Sequence, residues 1–103
     1  MNIQSMLKKA QALQAKVSQV QEELKTKEMV GTAGGGKVKV TMNGAQEVTA
    51  ISIAPEAIQA GEADLLEDLV LAAFRDARAK ITKLVEEEMS RVTGGMGLPP
   101  GLL

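Results

Sequence analysis

The sequence predicts an α+β fold in the order α-β-β-β-α, a small antiparallel three-stranded sheet with two long helices forming projecting arms. Three observations carry that expectation: an apolar seam at helical spacing near the start, strict alternation in the middle, and a second helical seam towards the end. The chain has 103 residues, enough for one domain. That domain is expected over residues 1–93, with a flexible Gly/Pro tail over 94–103. Hydrophobic residues make up 45% of the chain, but Phe74 is the only aromatic, so the core must be aliphatic.

The first helix is expected from residue 2 to about residue 27. Ile3, Met6, Ala10, Leu13, Val17, Val20 and Leu24 recur at alternating steps of three and four. Two apolar positions per heptad pack a helix against another helix along a narrow line. Gln, Lys, Glu and Ala fill the remaining positions with good helix formers, and no Gly or Pro intervenes. At 1.5 Å per residue the helix is about 35–40 Å long. A core built from so short a chain cannot cover that length, so part of the helix should protrude.

Gly31 and Gly34 to Gly36 end the helical pattern, and Lys37 to Met42 alternates. Val38, Val40 and Met42 fall on one face of a strand, with Lys37, Lys39 and Thr41 on the other. Met29 to Ala33 reads as a strand before it. Asn43-Gly44 is a strong short hairpin signal, and the β-branched run Glu47 to Ile53 returns as the third strand. The exposed edge of such a meander invites pairing with a second chain. A homodimer, mainly through the sheets, is the expectation.

Pro55 suits the first turn of a short helix ending near Gly61. Asp64 before Leu65-Leu66-Glu67 resembles a capping box with Asp in the Ser/Thr place. Leu66, Val70, Ala73, Ala77, Ile81 and Leu84 then predict a helix over about 65–92, stopped by Thr93-Gly94-Gly95. The ends of the two long helices can lie side by side as an antiparallel pair.

Several functional classes are excluded by what is missing. There is no His and no Cys, hence no His general base, thiol nucleophile, disulfide or His/Cys zinc site. Gly31-Thr32-Ala33-Gly34-Gly35-Gly36-Lys37 fits the opening of a phosphate-binding loop. Val38 stands where the Mg²⁺-holding Ser or Thr belongs, however, and a strand follows instead of a helix. A hairpin loop is the better reading. Glu86-Glu87-Glu88 and Glu67-Asp68 splay about 100° per residue on a helix and cannot converge on one ion. Ser5, Ser18, Ser52 and Ser90 lack triad partners. The expectation is a non-enzyme without cofactor, metal or small-molecule substrate. Polar residues interrupt Met1 to Leu13, and the longest apolar run is Leu69 to Phe74, so a cytoplasmic protein with no membrane partner is expected.

Charge distribution says more than its total of −1. Residues 1–27 carry Lys8, Lys9, Lys16, Lys25 and Lys27 against Glu22 and Glu23, a net +3, and the first 21 residues hold no acid. Residues 28–53 balance at 0, and residues 54–103 carry −4. Arg78, Lys80, Lys83 and Arg91 supply cations to the second helix. Heptad flanks carry lysine for solubility in many helices; the sharper alternative is an arm that grips phosphate. Lys8, Lys9, Lys16, Arg78, Lys80, Lys83 and Arg91 are the candidate contacts.

Ordered segments also match a known family. They are Met6-Leu7-Lys8-Lys9-Ala10-Gln11, Ala33-Gly34-Gly35-Gly36, Val38 to Gly44, Glu47-Val48, Pro55-Glu56, Leu66 to Val70, Ala72 to Ala77 and Gly95 to Gly101. Through them the chain resembles, nearly end to end, the YbaB/EbfC family of nucleoid-associated proteins. The resemblance implies a tweezer-like homodimer that binds duplex DNA with weak sequence preference and influences nucleoid organisation and gene expression. It implies no cofactor and no catalytic site, and a cytoplasmic, nucleoid-associated location. Arg75 departs from the Asn often found in the family. The competing class is a prefoldin-like coiled-coil interaction or holdase module, favoured by Met96, Leu98, Leu102 and Leu103 near an arm end.

Overall fold

The computed structural model describes residues 2–95 and has the expected order. Helix α1 spans Ile3–Leu24, strands β1 Glu28–Ala33, β2 Val38–Asn43 and β3 Val48–Ile53 follow, and α2 spans Ala63–Gly95. A 3₁₀ turn over Pro55–Ala57 joins β3 to α2 and is shorter than the expected helix to Gly61. The expected flexible tail lies outside the described residues apart from Gly94 and Gly95. The chain extends 70 × 20 × 16 Å with a radius of gyration of 19.2 Å. A compact domain of this length has about 13 Å.

Asn2 caps α1, its Oδ1 accepting the Gln4 N–H at 3.0 Å. The helix ends at Leu24, about a turn before the expected position. The Thr26 and Lys27 N–H groups close its last turn on the Glu23 and Leu24 carbonyls, both at 3.1 Å. From far along the chain the Gly44 N–H also donates to the carbonyls of Leu24, at 3.0 Å, and of Lys27 in the following turn, at 3.2 Å. A Cβ on Gly44 would collide with the Leu24 backbone, so glycine is required for that approach.

The sheet is an antiparallel meander in the order β1-β2-β3. Gly34, Gly35 and Gly36 all have positive φ and form the β1–β2 turn, a hairpin loop as expected. The second turn is longer than the two-residue hairpin that Asn43-Gly44 suggests. Asn43 Oδ1 accepts from the N–H groups of Ala45, at 2.9 Å, and Glu47, at 3.0 Å, while Gln46 adopts φ 61°. The Asn side chain thus organises a four-residue loop from within. β3 also carries a bulge, because Thr41 pairs with Ala50 but Met42 pairs with Val48.

Val38, Val40 and Met42 point from β2 into the main core against Ala73, Ala77 and Ile81 of α2. Met29, Ala33, Ile53, Leu66, Leu69, Val70, Phe74 and Leu84 close around them. Alanines on the helix let it approach closely: a Cβ on Gly31 would overlap the backbone of Ala73 and Ala77. The second core is Val20, Leu24 and Val92 with Leu13, Val17, Val85 and Met89, and Leu84 belongs to both cores.

Two expectations for α2 are corrected. Leu66 N–H bonds the Glu62 carbonyl at 3.2 Å, so Asp64 lies inside the first turn and acts on the helix dipole instead of capping. Thr93 does not stop the helix. It is buried, and its hydroxyl donates to the carbonyls of Met89 and Ser90, both at 3.2 Å, as the helix continues to Gly95.

Candidate nucleic-acid interface

Helix α1 divides into two halves. Val20 and Leu24 are buried against α2, and Leu13 and Val17 are half-buried. Every residue from Asn2 to Ala12 is exposed. The seam residues continue through this half without cover: Ile3 is 72%, Met6 50% and the neighbouring Leu7 56% exposed. Lys8 and Lys9 lie on this projecting half, and Lys16 follows where the helix joins the second core.

The candidate residues on α2 fall into two places. Lys83 is exposed beside Leu84, and Arg91 is exposed beside Val92, both on the segment that packs with α1. Arg91 meets Glu88 at 3.2 Å, and Glu88 also meets Lys27 of the α1–β1 turn at 3.5 Å. Arg78 and Lys80 lie instead over the sheet, beside Ala77. Lys80 is engaged structurally: its ammonium is 3.0 Å from Asp76 and donates to the Val30 carbonyl at 3.1 Å. Among the described residues Lys8, Lys9, Lys16, Arg78 and Lys83 make no ion pair.

Asp76 completes an arrangement that sequence reasoning missed. Its Oδ2 accepts the Thr32 N–H at 2.9 Å. The Asp76–Lys80 pair therefore occupies one donor and one acceptor on the outer edge of β1. The Thr32 N–H, followed by the Lys80 hydrogen bond, holds the Asp76 carboxyl below its ordinary value of 3.8. The spacing of four is visible in the sequence, but a partner on a strand 44 residues away is not.

The opposite edge is open. Cross-strand pairing places Ile51 opposite Val40 and Val48 opposite Met42, on the core face. Yet Ile51 is 55% and Val48 41% exposed, because α2 lies mainly over β1 and β2. An open apolar groove of ≈ 460 Å³ runs between β3 and α2, lined by Ile53, Leu66, Val70, Leu71 and Phe74, with Glu67 at its rim. Leu65 and Ile58 add exposed apolar surface from the same part of the chain. A larger cleft, at the junction of α1, α2 and the Gly44 turn, is bordered by Lys25 and lies away from Lys8 and Lys9.

A sheet whose β1 edge is partly occupied by Asp76 and Lys80, whose β3 edge is open, and from which a basic helical arm extends defines a small α+β protein of α-β-β-β-α order. The chain belongs to the YbaB/EbfC DNA-binding family, whose family model matches residues 1–96. It is 46% identical over 101 residues to the nucleoid-associated protein Rru_A3472 of Rhodospirillum rubrum, covering 98% of this chain and 94% of that one. A nucleoid-associated protein of Caldanaerobacter subterraneus, TTE0040, is 42% identical, with coverage of 95% and 88%. The same fold occurs in the crystal structure of the uncharacterized protein HP0035 from Helicobacter pylori. That chain superposes with a TM-score of 0.70 at 21% identity, over 93% of this chain and 97% of that one. No described helix is long and apolar enough to cross a membrane.

Proposed function

We propose that this protein is a cytoplasmic, nucleoid-associated binder of duplex DNA, acting as a tweezer-like homodimer and influencing nucleoid organisation and gene expression. The observation that carries the reading is the projecting, acid-free half of α1 with Lys8 and Lys9, in a chain of a DNA-binding family. Lysine meets phosphate as a point charge, without the bidentate fork that reads guanine. With no aromatic on the arm to stack on bases, sequence preference is weak. Lys16, Lys83 and Arg91 extend the contact towards the second core, Arg78 is peripheral, and Lys80 serves the fold first.

The dimer forms through the open edge of β3 and the groove beside it. β1 is less suited to this because Asp76 and Lys80 already occupy part of its edge.

Lys8→Glu with Lys9→Glu tests the arm. The double variant weakens binding on all sequences alike and leaves the dimer intact. With two lysines lost from each of the two arms, four phosphate contacts go, and the steepness of log K against log salt falls by about 3.6. Unchanged affinity on random duplex DNA in a mobility-shift titration would rule the arm out.

One observation favours a second reading, a holdase module: Ile3, Met6 and Leu7 are exposed at the arm end. Suppression of client aggregation at salt that abolishes DNA binding is the outcome that supports it.

A further inference from the structure

The seam between the two long helices stops before its apolar pattern does. Leu24 lies at the Gly44 turn and Leu84 is shared with the main core, so both mark the sheet end of the seam. Leu13 and Val92 mark its far end. Beyond Val92, α2 runs only to Gly95, about 4.5 Å, whereas α1 runs from Leu13 out to Ile3, about 15 Å. Over that overhang Ile3, Met6 and Ala10 keep the alternating steps of the seam and share a side of α1 with Leu13 and Val17. That is the side on which α2 lies. All three are exposed, as is Leu7 beside them, and they form an apolar ridge on the line that α2 would follow if it continued.

The sequence does continue, as Met96-Gly97-Leu98-Pro99-Pro100-Gly101-Leu102-Leu103, beyond the described residues. Its glycines and prolines disfavour a helix. Extended, these residues span about 25 Å, more than the length of the ridge. They hold no charge, and Met96, Leu98, Leu102 and Leu103 are large and apolar. Pro99 and Pro100 have no N–H to leave unsatisfied on an apolar surface. The alternatives fit less well. A second α1 tip sets lysine against lysine, since the first 21 residues hold no acid. The cleft beside the Gly44 turn lies back towards the sheet, and the chain would have to reverse at Gly95 to enter it.

We propose that residues 96–103 run on from α2 as an extended strap along the tip of α1 of the same chain, covering Ile3, Met6 and Leu7. A helical end of this length is marginal without tertiary cover. The strap prolongs the seam past the end of α2 and braces the arm that carries Lys8 and Lys9. The inference goes beyond the DNA-binding reading and does not depend on it.

The chain has no cysteine, so Gly101→Cys gives the full-length protein a single site for a nitroxide label. In amide NMR spectra the label should broaden the signals of residues 3–10 and leave those of Gly44 and Ala45 sharp. Adding Leu98→Asp and Leu102→Asp should restore the broadened signals. The amides of residues 7–10 should then exchange with solvent about tenfold faster. Neither leucine belongs to the two cores, and circular dichroism checks the fold. The singly labelled protein decides the question even if the further variant misfolds.

Broadening centred on Gly44 and Ala45 puts the segment in the cleft and overturns the strap. Signals of residues 3–10 that stay sharp overturn it too. A mixture of nitroxide-labelled protein with unlabelled, nitrogen-15-enriched protein separates the two chains of a dimer. Residues 3–10 should stay sharp in that mixture, and broadening there would mean that the segment crosses to a second copy. That result overturns the same-chain strap, and none of these outcomes bears on whether the protein binds DNA.

Discussion

Gly31 shows how much a single missing side chain decides. Its position in β1 lets the strand lie against the α2 backbone between Ala73 and Ala77, where a Cβ has no room. Gly31→Ala forces strand and helix apart, because the new Cβ would overlap the Ala73 and Ala77 backbone. The expected loss is about 1–3 kcal/mol, measured as a lower urea midpoint with an unchanged m-value. An unchanged midpoint would mean that the helix can shift without cost. The alternating sequence shows this glycine only as an interruption. Its role depends on small residues at 73 and 77, which the helical seam marks merely as apolar. Asn43 teaches the same lesson, because Asn-Gly announces a turn but not that the Asn side chain would accept two N–H groups and lengthen it.

At the scale of elements, local patterns were sufficient for order and faces. Val38, Val40 and Met42 alternate and are buried together, and Ala73, Ala77 and Ile81 recur at helical spacing and meet them. Element ends were less legible because long-range contacts set them. Leu24 stops α1 against the Gly44 turn, and Thr93 is carried into α2 by its bonds to Met89 and Ser90. The partly occupied edge of β1 belongs to the same category, since Asp76 and Lys80 look like an ordinary surface pair in sequence. Asp76→Asn makes that contact testable by pH. The carboxyl is held below 3.8 in the folded state, so its stabilisation is present above that value. It is lost as pH falls through the folded value. The variant should therefore melt below wild type at neutral pH, and the gap should close in strong acid. A gap of constant size down to the lowest pH at which both fold would contradict this account.

For the whole molecule, the balance of charge and burial separates two tasks. Net charge near zero conceals a basic projecting helix, which segment-by-segment reading exposes; which cations are occupied required the fold. Lys80 illustrates the limit, since nothing in its own helix signals a bond to the Val30 carbonyl. Assembly belongs to this scale as well. If two copies join through β3, Ile51→Lys places a charge in the shared apolar face, where burial without a partner is costly. The substitution should convert the dimer to a folded monomer at micromolar concentration in sedimentation velocity, and weaken DNA binding as two arms become one. A dimer that survives Ile51→Lys would place the joint elsewhere.

The continuity of α2 has a mechanical consequence. Its 33 residues run unbroken from the sheet core to the second core, with Leu84 packed into both. Neither Gly nor Pro interrupts it between Ala63 and Thr93, so it is a lever without a hinge. In the proposed dimer, the gape between the arms is then set where the sheets join. Any force that a bound duplex exerts on an arm tip arrives as torque on β3, and stiffness in gripping DNA becomes a property of the joint.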